Sequence, residues 1–318
     1  MNEPVNPQQD DTSLATADSG APEKLVTASD YLPTLQRQYG SKAAAGKIVP
    51  TALDFLNGNM GGWPTGLNLL AGEPGIGKTA FALSNAAVAA QAGFSVLYLS
   101  FDLQSEFLVM KLLCQQAGLD SRALMDGALD KATLKAAVAS HKKIFSRINV
   151  VEADPNLSIE TAGEMARELI AASHRDRILV IVDYLQIWAA GTRQFSEFRH
   201  EIAKLMTAMR RLALNLNSPV LAMSSQNRAH RGEAVLESLE GTSDLEYSAD
   251  SVSFLVNVEL AVNKSSYTPP DGMMTKSRSI SINLRKNRFG ETGSRMIKFL
   301  PSTGTFDEES MRRPRAAE

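Results

Sequence analysis

Leu67-Asn68-Leu69-Leu70-Ala71-Gly72-Glu73-Pro74-Gly75-Ile76-Gly77-Lys78-Thr79-Ala80 is the stretch that decides the fold. Leu67 to Ala71 is short and apolar, as a buried strand requires, and the Ala-rich run from Thr79 to Ala92 predicts the helix after it. Between them lies GxxxxGKT, whose glycines let backbone N–H groups close on phosphate oxygens at a helix N-terminus. In that setting Lys78 would reach the β and γ phosphates of ATP and the Thr79 hydroxyl would hold Mg2+. Gly72, Glu73, Pro74, Gly75, Ile76, Gly77, Lys78, Thr79 and Ala80 are therefore the candidate nucleotide-binding set. A glycine-rich turn without a ligand is the plain alternative, and the flanking strand and helix argue against it.

Working outward, strands and helices alternate as a parallel sheet with crossover helices demands. Ser95–Phe101 and Ile148–Glu152 read as strands, Ser105–Gly118 and Ser158–Ser173 as helices, the latter capped by Ser158. Arg177–Asp183 is the most apolar strand and ends in a carboxylate. A helix from about Phe198 to Leu216 carries Ile202, Leu205, Met206, Met209 and Leu212 at helical spacing, and a strand follows at Val220–Ser224. After Ala249 the pattern turns β-rich, with strands expected at Ser251–Val258, Ser279–Leu284 and Arg295–Phe299. The expected fold class is α/β: a P-loop NTPase core, a mostly parallel sheet flanked by helices, with a β-rich C-terminal extension.

Asp183, at the carboxyl end of its strand, sits where open α/β sheets place ligand groups, and is the candidate magnesium partner beside Thr79. Asp102 ends the preceding strand and could orient or deprotonate an attacking water. An ordinary turn or loop carboxylate is the alternative for each.

Composition narrows the rest. The chain has 318 residues, 44% of them hydrophobic, enough for one large domain with appendages. Basic residues number 33 against 35 acidic, with pI about 6.2, so no whole-molecule field draws it to nucleic acid and any such site must be local. The single cysteine, Cys114, lies in an apolar run and reads as a buried, inert thiol. No segment approaches the roughly 18 apolar residues of a membrane span, and the N-terminus lacks a basic start followed by an apolar run, so no membrane partner and a cytoplasmic location are expected. Residues 1–28 hold almost no large apolar side chains and are expected to be disordered, as is a C-terminal tail over 309–318. Residues 29–47 read as a short helix, starting near Pro33, followed by a flexible joint; 48–308 is the expected ATPase domain.

Several motifs in order extend this reading: Ile48-Val49-Pro50-Thr51, Ser100-Phe101-Asp102-Leu103 with Leu108-Val109-Met110, Asp183-Tyr184-Leu185-Gln186-Ile187, Glu246-Tyr247-Ser248-Ala249-Asp250 and Lys286-Asn287-Arg288-Phe289-Gly290-Glu291-Thr292-Gly293. Together they resemble the C-terminal RecA-like ATPase domain of the DnaB-type replicative helicases, from about Ile48 to Asp307. The resemblance implies a RecA-like fold, a homo-oligomeric, hexameric ring, single-stranded DNA as a partner, a replication or loader protein as another, and ATP held between subunits. It also implies that Lys286 and Arg288 project into the next subunit's ATP site, Arg288 as the arginine finger. A solvated basic turn is the alternative for that pair.

Four departures accompany the resemblance. Asp102 stands where the family usually has Glu. The γ-phosphate-sensing Gln is expected at the end of the Val220–Ser224 strand, yet Gln226 comes one residue late, so either the strand end shifts or Ser225 takes the place. Glu240-Gly241 replaces an Arg-Glu pair of the DNA-holding loop. The N-terminal primase-binding domain is represented only by the tail and the 29–39 segment, which resembles the family's linker helix. Candidate DNA contacts are Arg193 and Arg199 in the loop after Asp183, and Arg228, His230 and Arg231 after the Ser224 strand. Two functions follow: an ATP-dependent DNA helicase or translocase, or a regulatory RecA/KaiC-like ATPase that does not unwind.

Overall fold

The computed structural model describes residues 27–39, 48–173, 175–191, 198–227, 230, 232–239, 248–258 and 277–308. Contacts divide the chain into two units, 1–45 and 46–318. In the first, helix α1 (Ala28–Tyr39) opens on Thr27, whose backbone N–H and hydroxyl both donate to the Asp30 carboxylate, at 2.9 and 2.8 Å. Pro33 lies inside this helix rather than at its start. Pro33 has no N–H to give, so it removes a single i→i−4 bond, and the Thr27–Asp30 cap fixes the first turn ahead of it.

In the second unit the elements run α2 (Asp54–Met60), β1 (Gly66–Gly72), α3 (Lys78–Gln91), β2 (Val96–Ser100), α4 (Ser105–Ala117), α5 (Ser121–Met125), α6 (Lys131–Phe145), β3 (Ile148–Glu152), α7 (Ile159–Ala172), β4 (Leu179–Asp183), α8 (Leu185–Gly191), α9 (Phe198–Asn215), β5 (Pro219–Ser225), β6 (Ser251–Asn257), β7 (Arg278–Asn287), β8 (Gly293–Leu300) and β9 (Thr305–Asp307). The strands form one nine-stranded sheet in the order β3-β2-β4-β5-β1-β6-β7-β8-β9. From β3 to β6 neighbours are parallel; β7, β8 and β9 add an antiparallel edge. This is the mostly parallel α/β class that the alternating pattern predicts, in keeping with the RecA-like fold that the resemblance implies.

The central strands β1, β2 and β4 are buried along their whole length, which is why they read as continuous apolar runs. One face of the sheet is covered by α7, α8 and α9, whose Ala166, Trp188, Ile202 and Met206 meet Leu69, Leu99 and Val182. The other is covered by α2, α3 and α4, with Leu56, Phe81 and Leu108 against Leu70, Tyr98 and Ile181. Cys114 is buried there, and burial pushes its thiol pKa up, which keeps it protonated.

Register then places the chemistry. Gly72 pairs with Ser225 and Ser100 with Asp183, so the carboxyl ends of β1, β5, β2 and β4 converge on one edge of the sheet. Pairing of β1 with both β5 and β6, while the chain leaves for β2 beyond β4, makes this the topological switch point at which open α/β sheets bind ligands.

Candidate functional site

The loop between β1 and α3 folds as it does because two of its turns need glycine. Gly77 has φ +112°, and a Cβ there would come within 3.1 Å of the Phe299 ring, so β8 packs directly on the loop. The chain then enters α3 with Lys78, Thr79 and Ala80 in its first turn. The Lys78 ammonium donates to the loop's own carbonyls, Gly72 O at 2.7 Å and Glu73 O at 2.9 Å. Arg278, opening β7, donates to Gly75 O at 3.2 Å.

Asp183 is 5% exposed. Tyr98, fully buried on β2, donates its hydroxyl to Asp183 Oδ2 at 2.7 Å, and the Thr79 hydroxyl lies close enough to favour the charged form of this carboxylate. Burial raises the Asp183 pKa, Asp102 raises it further, and the Tyr98 and Thr79 hydrogen bonds and the Lys78 charge hold it down. Burial and the neighbouring Asp183 push the Tyr98 phenol well above its ordinary value, so it stays a neutral donor.

These groups line a cleft of about 470 Å³ that contains Pro74, Gly75, Gly77, Lys78, Thr79, Ala80, Asp102 and Asp183. The structure thus brings together the predicted loop and both predicted carboxylates. Sequence reasoning missed the opposite wall: Lys111 and Gln115 of α4, Arg278, and Phe299, Thr303 and Gly304 from the β8–β9 hairpin. The Thr79 hydroxyl and the Asp183 carboxylate are hard oxygen donors of the kind magnesium prefers, and the glycine loop on a helix start suits phosphate, so the residues present fit both groups.

Gln226 stands apart from the cleft. β5 continues to Ser225, which lines it, while Gln226 turns away and donates to His230 O, Glu233 O and Ser238 Oγ at 3.1, 2.6 and 2.9 Å. One residue along a strand reverses the face a side chain points to, which explains why the local pattern left Ser225 and Gln226 open. Gln186 fixes the strand end, accepting from Ser225 N at 3.1 Å and donating to Ser224 Oγ at 2.9 Å.

Lys286 and Arg288 lie at the other end of β7. Across β6, Gly72 lies level with Ile282, so six residues of strand at about 3.3 Å each put Arg288 roughly 20 Å from the start of its own glycine loop. There Arg288 Nη1 pairs with Asp250 Oδ1 at 3.1 Å. Asp250, which is buried, also accepts from Leu67 N at 3.0 Å and from Arg210 through Nε and Nη2. Gly66, at φ +131°, is required beneath it, since a Cβ would overlap the Asp250 carboxylate. Arg199 is exposed in the first turn of α9, which begins at Phe198 as the periodicity suggests, rather than in the loop before it. Arg193, Arg228, Arg231, Glu240 and Gly241 lie outside the described residues, as do 1–26, 40–47 and 309–318.

Comparison with known proteins agrees with this geometry. Residues 48–308 match the family described as the DnaB-like helicase C terminal domain. The chain is 24% identical over 293 residues to the replicative DNA helicase DnaB of Geobacillus stearothermophilus, covering 89% of this chain and 60% of that protein. It superposes on the ATPase domain of G40P with a TM-score of 0.75 at 20% identity, covering 90% of this chain and 99% of that one. A DnaB-like replicative helicase described with its interactions with primase gives 0.72, also at 20% identity, covering 89% of this chain and 67% of that one. The chain therefore spans 60% of the length of the Geobacillus relative.

Proposed function

The chain belongs to the family of DnaB-like helicase C-terminal domains, and from that premise we propose that it hydrolyses ATP at subunit interfaces of a ring, a hexamer by resemblance, and moves single-stranded DNA. The observation that carries this reading is the joining of Lys78, Thr79, Asp102 and Asp183 in one cleft. Thr79 and Asp183 would hold Mg2+, which on binding neutralises charge developing on the phosphates. Lys78, now turned onto Gly72 O and Glu73 O, carries the ammonium that phosphate oxygens would draw off those carbonyls. Asp102, exposed at the cleft mouth, would accept a proton from the attacking water or orient it.

Arg288 lies too far from its own loop to act in the same subunit, so a finger role requires a neighbour's nucleotide. Arg193, Arg199, Arg228 and Arg231 are the proposed contacts for DNA phosphates, with a replication or loader protein as a further partner and the cytoplasm as the setting. No helix among the described residues is long and apolar enough to cross a membrane.

Strand displacement measured beside ATP turnover, with and without single-stranded DNA, tests the whole reading. Displacement and DNA-stimulated turnover are expected, with log affinity falling against log salt by about 0.7 per phosphate contacted. Charge reversal at Arg228 and Arg231 should flatten that slope. Turnover indifferent to DNA, with no displacement, would replace the helicase with a regulatory ATPase.

A further inference from the structure

The carboxylate expected beside the metal is held from within the sheet by a residue that phosphate binding and water activation do not use. β2 and β4 run parallel with Ser100 level with Asp183, so Tyr98, two residues back, shares the face of Asp183. The Tyr98 ring is 0% exposed and packs in the apolar layer of Leu70, Phe81 and Ile181, which leaves its hydroxyl no room to swing away. That hydroxyl donates to Asp183 Oδ2 at 2.7 Å. Ser100, although level with Asp183, is engaged elsewhere: its hydroxyl donates to Leu103 O at 2.6 Å and accepts from Leu103 N at 3.2 Å.

On its other side Asp183 meets the cleft, where Thr79, Lys78 and Asp102 stand close to it. With Oδ2 taken from the sheet side, one carboxylate oxygen remains for a cation. Magnesium is small, demands octahedral geometry and keeps several waters, so a single oxygen from one carboxylate suits it. Calcium is larger, takes more oxygen ligands and accepts both oxygens of one carboxylate. A carboxylate with one oxygen withheld therefore favours the smaller ion.

We infer that Tyr98 is a positioning residue that sets which divalent cation the cleft takes: by withholding Asp183 Oδ2 it leaves a one-oxygen donor, which suits magnesium and disfavours calcium. This rests on the reading of Asp183 as metal partner to a bound nucleotide, and the experiment separates the two. The affinity of the full chain for a non-hydrolysable ATP analogue is measured with excess Mg2+, with excess Ca2+ and with metal chelated. Each ion's own affinity for the analogue is the same for every variant and cancels in the comparison. In the unaltered protein Mg2+ should strengthen binding at least about tenfold more than Ca2+ does. Tyr98→Phe keeps the ring and frees Oδ2, so that advantage should shrink about tenfold, the worth of one hydrogen bond to a charged group, while the metal-free affinity stays put. In an Asp183→Asn background the same substitution should leave the Mg2+ to Ca2+ ratio unchanged, which a general loosening of the core would not do. Thermal melting checks that the variants fold, and the two-ion comparison on the unaltered protein decides the matter even if they do not. Equal gains from the two ions in the unaltered protein, or a ratio that Tyr98→Phe does not move, would overturn cation selection and leave nucleotide and metal binding standing. Binding that ignores both ions, or no binding at all, would overturn both.

Discussion

The two edges of the sheet each bury one aspartate, and they treat it differently. At the carboxyl edge Asp183 accepts a hydrogen bond from the Tyr98 hydroxyl, with the Thr79 hydroxyl beside it and Lys78 nearby but bonded to loop carbonyls. At the opposite edge Asp250 is met by two guanidinium groups and a backbone N–H. Asp250 is an ion pair completed within the chain, the kind whose loss unfolds a protein. Asp183 is a carboxylate whose burial is only partly offset, which is the arrangement expected where a cation belongs. Burial alone therefore does not mark a functional carboxylate; the charge left uncompensated around it does.

The largest effect that would sharpen this contrast is on turnover. Lys78→Ala should abolish ATP hydrolysis while changing the melting temperature little, because the ammonium bonds to carbonyls of the glycine loop rather than packing in the core. Near-normal turnover would refute the cleft as the site. Arg288→Ala comes next, with an expected loss of about 10³ or more in rate if it serves a neighbour as a finger. Mixed with Lys78→Ala chains, it should regain activity at interfaces that pair an intact loop with an intact Arg288. No recovery in demonstrably mixed rings would leave Arg288 as a partner of Asp250 only.

Stability provides the converse test. Asp250→Ala should cost about 3 kcal/mol in denaturant unfolding, since it strands a buried Leu67 N–H and two paired arginines. Asp183→Asn should instead be neutral or stabilising in the free protein. The sign follows from the raised pKa of Asp183: the folded state holds that proton more tightly, so stability present below the ordinary carboxylate range is lost as pH rises through the folded value. The gain of Asp183→Asn should accordingly grow from acid to neutral pH. Equal penalties for the two substitutions would erase the distinction between the edges.

The same contrast shows what the sequence could disclose. β1, the glycine loop and α3 were legible because a buried strand, a turn that needs glycine and an Ala-rich helix each leave a local pattern. Asp183 and Asp102 were legible as strand ends. The far wall was not, because Phe299, Thr303 and Gly304 arrive from some 200 residues along the chain and only the sheet order carries them there. α5 and α6 escaped notice for another reason. They ride on the surface: α5 has five residues, none buried, and although Leu134, Ala137, Val138 and Ile144 of α6 recur at helical spacing, only Ala137 is buried. Asp250 carries no local sign of its two arginines, which lie 40 and 38 residues away.

The smallest expected effect concerns Tyr98, the residue that only register could have revealed. Its hydroxyl is the one neutral donor held within a fully buried strand to face the Asp183 carboxylate. Tyr98→Phe keeps the ring packing and removes that hydrogen bond. The bond favours the ionised carboxylate, so without it the Asp183 pKa should climb further and the loss of stability with rising pH should shift to higher pH. At neutral pH the cost should be about 1–2 kcal/mol, shrinking in acid, where the protonated carboxyl needs the donor less. In an Asp183→Asn background the same substitution should cost less and lose its pH dependence, because no charge remains to be solvated. A cost that is the same at every pH and in both backgrounds would mean that the hydroxyl matters for packing alone, and that Asp183 draws its compensation from elsewhere in the cleft.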